Sequence, residues 1–449
     1  MTDMETAYRL AELVRDHGGC AYFVGGFVRD RLLGIENYDI DIEVHGILPA
    51  NLESILRQIG EPTAYGESFG IFGLKGCGID IAMPRKEQVR GHGHRDFDIF
   101  VDPFIGTEAA ARRRDFTVNA LMQNVLTGEI IDHYGGQSDL QAGILRHVND
   151  ESFPEDPLRV LRGAQFAARF HLSPAPETVA LCRTMDLSHL AGERIEAELK
   201  KALLKTERPS VFFNILRVTE QLDIWFPELK ALIGVEQHAT YHAEGDVWNH
   251  TMMVLDEAAK LRHSAQQPYA FMLSALCHDF GKAVSSEAAG DGAVHAYGHE
   301  FAGIPIAKQF LSRITKETKV IDYVQNMTKL HMRPNIAAHS GSGVKSTNKL
   351  FDEAIAPHDL ICLALADDRG RISLKPAPST EGFLRERLAM YEEIMSRPHV
   401  MGKDLIAAGL TPDKSFSDIL AYAHKLRLAG VDKDSALKQT LAYARKLKK

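Results

Sequence analysis

The chain has 449 residues, 45% of them apolar and 25% charged, with a formal net charge of −8. At roughly 100–200 residues per domain this is material for two to four globular domains. No apolar run approaches the ~20 residues of a membrane helix, and the acidic start Met1-Thr2-Asp3-Met4-Glu5 lacks the apolar segment of a signal peptide.

In chain order, residues 6–17 have helical periodicity, and 21–24 form a short apolar strand that runs into Gly25-Gly26. Residues 28–33 read as a helix stopped by Gly34. Residues 38–44 alternate: Ile40, Ile42 and Val44 point one way and Asp39, Asp41 and Glu43 the other, which predicts a strand with one buried and one acidic face. A helix over 52–58 and a hairpin of 71–74 with 78–82 complete a small α+β head. From Asp156 onward helical patterns dominate, broken at Pro and Gly clusters. The boundaries expected are a head over 1–150, a helical neck over 151–235, a second helical domain over 236–375 and a helical tail over 376–449. The five cysteines (Cys20, Cys77, Cys182, Cys277, Cys362) are odd in number and scattered, which predicts reduced, buried thiols in a cytoplasmic protein. Residues 425–449 carry eight Lys or Arg against two Asp, a solvated helix end or an RNA-backbone contact.

Gly25-Gly26-Phe27-Val28-Arg29-Asp30 follows a strand and opens a helix, where glycine lets a phosphate approach free N–H groups. Asp39 and Asp41, two apart on one strand, share a face. Paired carboxylates suit a cation, and Mg²⁺ commonly takes one or two carboxylates plus substrate phosphates. Arg112-Arg113-Arg114 runs into the apolar Phe116-Thr117-Val118, so at least one guanidinium should lie near the core, where its planar fork suits a triphosphate or ribose. In Glu155-Asp156-Pro157-Leu158-Arg159-Val160-Leu161-Arg162, Pro157 fits a first helical turn and Asp156, Arg159 and Arg162 fall on one face. A carboxylate accepting an exocyclic amine beside a donating arginine matches cytosine or adenine and rejects uracil and guanine.

These segments resemble the class II tRNA nucleotidyltransferases, the family of CCA-adding enzymes and bacterial poly(A) polymerases. The resemblance runs in order through residues 21–205 and includes Asp132–Leu140 and Glu193-Arg194-Ile195. It implies that Gly25, Gly26 and Arg29 contact the nucleotide, that Asp39 and Asp41 are catalytic and hold Mg²⁺, that Arg114 meets the triphosphate or sugar, and that Asp156, Arg159 and Arg162 read the base. Asp80, on the strand Ile79-Asp80-Ile81, is a candidate third carboxylate. Gln165 stands where some relatives carry a further arginine. The basic, glycine-rich stretch 84–102 matches a loop associated in the family with the change from C to A addition.

A second chemistry lies downstream. His250 opens one helix, Cys277-His278-Asp279-Phe280-Gly281-Lys282 ends another, and His299, His331 and Asp367 follow. Imidazole with carboxylate suits Ni, Mn, Fe or Zn better than Mg alone. The pattern resembles the all-helical HD phosphohydrolases, which implies His250, His278, Asp279 and Asp367 as metal ligands, with His299 and His331 serving a second metal. The function implied is addition of CCA to tRNA from CTP and ATP, with an HD activity on 2′,3′-cyclic phosphates, 2′-nucleotides or phosphomonoesters. The alternatives are a poly(A) polymerase or A-adding enzyme of the same family, and an HD hydrolase with an RNA-binding head.

Overall fold

Residues 2–64, 70–89, 97–288, 294–375 and 377–447 are described by a computed structural model. Two compact units emerge, Met1–Leu199 with Val211–Ile224 and Lys200–Ser210 with Trp225–Lys449.

The first unit is built on a sheet of seven strands, β1 (Cys20–Val24), β2 (Ile40–His45), β3 (Pro62–Ala64), β4 (Ile71–Leu74), β5 (Ile79–Ala82), β8 (Met122–Asn124) and β9 (Ile130–Ile131), in the order β3-β4-β5-β2-β1-β8-β9. A separate ribbon pairs β6 (Arg85–Val89) with β7 (Phe97–Val101). Residues 90–96, the centre of the glycine-rich stretch, lie outside the described residues. The 71–74 and 78–82 hairpin forms as expected, and β5 also pairs in parallel with β2, setting Asp80 level with Asp41.

Helix α1 (Asp3–Asp16) starts three residues before the periodicity suggests because Thr2 and Glu5 form a capping box. Its Ala7, Leu10, Ala11 and Val14 cover the sheet with Ile40, Ile42 and Val44 of β2. Helix α2 (Gly26–Leu32) begins at Gly26, directly after β1. The acidic face of β2 is graded: Asp39 is exposed and Asp41 half-buried, whereas Glu43 and His45 are both under 9% exposed, each partnering the other, with Glu43 also taking Arg114. The helix Leu158–Phe170 begins just after Pro157 and buries Val160, Leu161, Ala164 and Ala167.

In the second unit, Pro268–Cys277 is buried on every side, as a helix apolar all round must be, and packs among Val247–Leu261, Thr318–Leu330 and Pro357–Arg369. The tail helices Gly402–Ala407, Phe416–Leu428 and Lys433–Leu447 enclose their own small core of Leu405, Ile419, Ala423, Ala436 and Ala444. Lys448 and Lys449 of the basic end lie outside the described residues; Lys433 pairs with Asp404. All five cysteines are free thiols, but only Cys182, Cys277 and Cys362 are buried. Cys20 is exposed, because alternation along β1 turns it opposite to buried Ala21, and Cys77 is half-buried, its thiol donating to Asp3. Among the described residues, no helix is long and apolar enough to cross a membrane.

Candidate active sites

The head site gathers where β1 gives way to α2. Gly25 has φ +63°, which demands glycine, and a Cβ there would lie 2.9 Å from Arg114 Nη1 and displace that guanidinium. Arg114 is held from the other side by Glu43 Oε2 at 3.3 Å. Burial alone would raise the Glu43 pKa, but His45 and Arg114 outweigh it and hold the carboxyl below its usual range. Of the three adjacent arginines, Arg113 and Arg114 are half-buried and border the cleft, Arg113 donating to the Arg85 carbonyl, while Arg112 pairs with Glu151 at the surface.

Asp39, Asp41 and Asp80 bring one carboxylate oxygen each within 4.8 Å of the others. Partial burial and the neighbouring Asp39 push the Asp41 carboxyl up to about 6. Three carboxylates crowded this closely, one of them resisting ionisation, fit a divalent cation. Asp80 joins them only through the parallel pairing of β5 with β2.

Arg29 is 3% exposed. Its guanidinium donates to Asp30 Oδ1 at 2.8 and 2.5 Å and to Asn119 Oδ1 at 2.5 Å, and it lies 3.9 Å from the Phe170 ring centroid. It therefore braces the Gly25-Gly26 turn from beneath. The bracing continues: Asn119 Nδ2 donates to Asp115 Oδ1 at 3.0 Å, and Asp115 Oδ2 accepts from Arg162 Nε and Nη2 at 2.8 and 2.7 Å. Arg162 thus turns toward Asp115 rather than Asp156. Asp156 instead takes Arg194 at 2.9 Å, and Arg159 donates to the Ser152 and Arg113 carbonyls at 2.6 and 2.7 Å. Gly25, Gly26, Arg29, Asp41, Arg114, Asp156, Arg159 and Arg162 all border one cleft of about 440 Å³. Gln165 is fully buried. Glu43, Asp115, Asn119 and Arg194 carry no chemical role in the sequence reading; Asp115 and Asn119 lie within five residues of Arg114, and Arg194 lies in the quoted Glu193-Arg194-Ile195, so nearness to the named motifs is the available signal.

The second site is assembled from five helical segments. His250 lies on Val247–Leu261, His278 and Asp279 end Pro268–Cys277, His299 opens His299–Ile314, His331 ends Thr318–Leu330, and Asp367 is on Pro357–Arg369. Asp279 is central: Oδ2 lies 3.3 Å from His278 Nε2 and 3.6 Å from His250 Nε2, and Oδ1 lies 3.2 Å from His299 Nε2 and 3.7 Å from His331 Nε2. Asp367 Oδ1 is 3.1 Å from His250 Nε2. Gly281 is what allows this closeness, since a Cβ there would fall 1.9 Å from the His299 carbonyl oxygen.

Three histidines have their tautomer set by the backbone. Nδ1 of His278, His299 and His331 donates to the carbonyls of Ala275, Ala296 and Thr328 at 2.7–2.8 Å, leaving each Nε2 as a lone-pair donor aimed inward. Nε2 of His299 and His331 then face each other at 3.2 Å, an arrangement that a cation relieves. His278 Nε2 and Asp279 Oδ1 are buried without a hydrogen-bond partner, while Asp279 Oδ2 has the Lys282 ammonium at 2.7 Å. This donor set fits bound divalent metal. Burial would raise the Asp279 pKa, but His278 when it is protonated, and the Lys282 ammonium at 2.7 Å, outweigh it and hold the carboxyl well below its usual range. Burial would lower the His250 pKa, yet Asp367 and Glu244 push it up to about 9. Glu244, unassigned by the sequence reading, accepts from Nδ1 of both His242 and His250 at 2.8 and 3.1 Å and orients them.

Residues 21–146 match the family model of the poly A polymerase head domain, and residues 247–371 match the HD domain. The "Multifunctional CCA protein" of Actinobacillus pleuropneumoniae serotype 5b is 38% identical over 317 residues, spanning 69% of this chain and 74% of that protein. Its counterpart from Xylella fastidiosa strain M23 is 37% identical over 380 residues, spanning 81% and 86%. The chain belongs to the multifunctional CCA protein family. Its fold is similar to that of the Thermotoga maritima CCA-adding enzyme solved with tRNA (TM-score 0.66, 21% identity, 97% of this chain and 94% of that one). It is also similar to the Bacillus stearothermophilus CCA-adding enzyme solved with CTP (TM-score 0.68, 20% identity, 100% and 99%). For this multifunctional CCA family member the α+β head and helical remainder agree with the class read from the sequence.

Proposed function

We propose that this chain adds CCA to tRNA 3′ ends from CTP and ATP, releasing pyrophosphate, and hydrolyses phosphate esters at its HD site. The observation that carries the first activity is a single cleft containing Asp41 of the carboxylate cluster, Arg114, and the Asp156 and Arg159 pair. The RNA 3′-hydroxyl oxygen attacks the α-phosphorus, the bond to the β-phosphate oxygen breaks, and the hydroxyl proton passes to solvent. Mg²⁺ held by Asp39 and Asp41, with Asp80, supplies charge neutralisation at the reacting phosphates when bound. The Gly25-Gly26 turn and Arg114 take the triphosphate. Asp156 accepts from the exocyclic amine of cytosine or adenine; Arg159, whose guanidinium has more donors than its two carbonyl partners use, donates to the ring acceptor beside it. The Asp115–Arg162 pair keeps this helix in register with the Gly25-Gly26 turn, so positioning and charge stabilisation do most of the catalytic work.

At the HD site, His250, His278, Asp279 and Asp367, with His299 and His331, hold divalent metal; imidazole-rich donors favour Ni, Mn, Fe or Zn. When bound, the metal supplies an activated water and a grip on a phosphate oxygen. Lys282, 2.7 Å from Asp279, faces the same cavity and neutralises phosphate charge. The water oxygen attacks phosphorus, the ester P–O bond breaks, and the proton lost by the water is balanced by one taken up on the leaving ribose oxygen from solvent. The domain plan is a catalytic head over 1–150, a base-reading neck over 151–235, an HD domain over 236–375 and an RNA-gripping tail over 376–449.

Incorporation on tRNA transcripts lacking all, two or one of the terminal nucleotides, with CTP, ATP or both, tests the head. Completion of CCA followed by arrest is expected. Addition of A alone to the CC-ending transcript identifies an A-adding enzyme, a long A ladder identifies a poly(A) polymerase, and no addition moves the weight to the hydrolase.

A further inference from the structure

The HD cavity, about 570 Å³, is bordered by Asp279, Lys282 and Asp367 and also by a row of four rings that neither the metal nor the core requires. Tyr241 lies 5.0 Å from His238, His238 lies 6.1 Å from His295, and His295 stacks on Tyr297 at 5.2 Å with 17° between planes. Tyr297 is 84% exposed and Tyr241 45% exposed. Among the described residues neither hydroxyl has a hydrogen-bond partner, so the two rings lie open to the cavity without a structural load. Tyr241 and Arg371 also border an adjoining hollow of about 480 Å³ that contains Lys375.

Phosphate chemistry and open aromatic faces around one cavity, of a volume that fits a small ligand, match a molecule with a phosphate at one end and a flat base at the other. Base–aromatic stacking is tolerant of base identity and strong enough to set selectivity. We propose that Tyr241 and Tyr297, backed by His238 and His295, form a base-stacking wall that makes the HD site selective for nucleotide substrates over simple phosphate esters. The inference rests on the reading of this site as a phosphohydrolase. The ligand is a ribonucleotide with phosphate on its ribose, either free or ending an RNA; in the second case the preceding phosphate has Lys375 to meet, with Arg371, already paired to Asp368, beside it.

The test uses the full chain with added Mn²⁺ or Ni²⁺ and the variants Tyr297→Ala, Tyr241→Ala, their double, and Tyr297→Phe. Substrates are adenosine 2′,3′-cyclic phosphate, a short RNA ending in the same group, and glycerol 2-phosphate, which has no ring. The alanine variants should lose about tenfold to a hundredfold in kcat/KM on the two nucleotide substrates, through KM. Tyr297→Phe should retain activity, and turnover of glycerol 2-phosphate should stay within about twofold. A larger loss on the RNA than on the free nucleotide assigns the RNA end as ligand; equal losses assign the nucleotide alone. Calorimetry of the metal-free chain with adenosine 2′-phosphate should show one binding event that the double variant lacks. If the wild-type chain hydrolyses none of the substrates yet shows that event, the wall stands and the hydrolase reading falls. Unchanged KM and binding in the double variant overturn the wall, as does an equal loss on glycerol 2-phosphate.

Discussion

Replacing Arg162 by Ala tests whether the base-reading helix is pinned to the phosphate-binding turn by a buried charge. Asp115 is 8% exposed at its side chain and Arg162 33%, and the carboxylate accepts two guanidinium N–H groups at 2.8 and 2.7 Å. Removing one partner of a buried pair costs about 3–5 kcal/mol. Because a third of Arg162 meets solvent and Asp115 keeps the Phe116 N–H and Asn119, the loss should fall at the lower end, about 3 kcal/mol. At about 1.4 kcal/mol per decade, that is on the order of a hundredfold loss of amide protection in the first unit. Hydrogen exchange in peptides around Phe116 and Phe166 reads it. Both tryptophans, Trp225 and Trp248, lie in the second unit, so their fluorescence is the control. The pH dependence has a fixed sign. Burial pushes the Asp115 carboxyl up, but Arg162, Asn119 and the Phe116 N–H outweigh it and leave it below its usual value. A depressed carboxyl contributes stability in full above the unfolded value of about 3.9 and loses it as pH falls through the folded value. Wild type and Arg162→Ala should therefore differ most near neutral pH and converge as pH falls through the depressed folded value of Asp115. A loss of protection under about fivefold, or a difference that persists unchanged into acid, refutes the pinning role.

Asp41→Asn should lower nucleotide incorporation by at least about a hundredfold while HD hydrolysis persists; because burial and Asp39 resist ionisation of Asp41, the first unit should unfold no more easily than wild type in urea. Arg159→Ala should relax the preference for CTP and ATP when all four nucleotides compete on a sequencing gel, and unchanged selectivity would remove Arg159 from base reading. Gly25→Ala places a Cβ 2.9 Å from Arg114 Nη1 at φ +63°, ψ −126°, a backbone region that costs a side chain about 1–3 kcal/mol, and should raise KM for CTP and ATP in steady-state kinetics. Gly281→Ala meets the His299 carbonyl, which no rotamer change relieves; bound metal by elemental analysis and HD hydrolysis should both fall while CCA addition continues.

Local chemistry along the chain is enough for α1, β1, α2, β2 and the β4–β5 hairpin and for the residues singled out in both sites, whereas β3, β8, β9 and the β6–β7 ribbon, two to five residues each, carry too short a pattern to read. The apolar periodicity of α1, the alternation in β2 and the wholly apolar Pro268–Cys277 follow from which faces must leave water. Adjacent residues such as Asp39 and Asp41, or His278 and Asp279, need no fold to be read together. Partnerships between distant segments are another matter. Asp80 reaches Asp41 only because β5 pairs in parallel with β2, Glu43 reaches Arg114 across 71 residues, and Glu244 orients His250 from a loop. Arg29 borders the cleft, as a nucleotide contact must, and the fold adds a bracing role, since Asp30 and Asn119, the latter 90 residues away, take three of its N–H bonds. Sequence spacing sets which side chains share an element's face; which element lies opposite, and hence which charge a side chain answers, is decided when strands and helices pack.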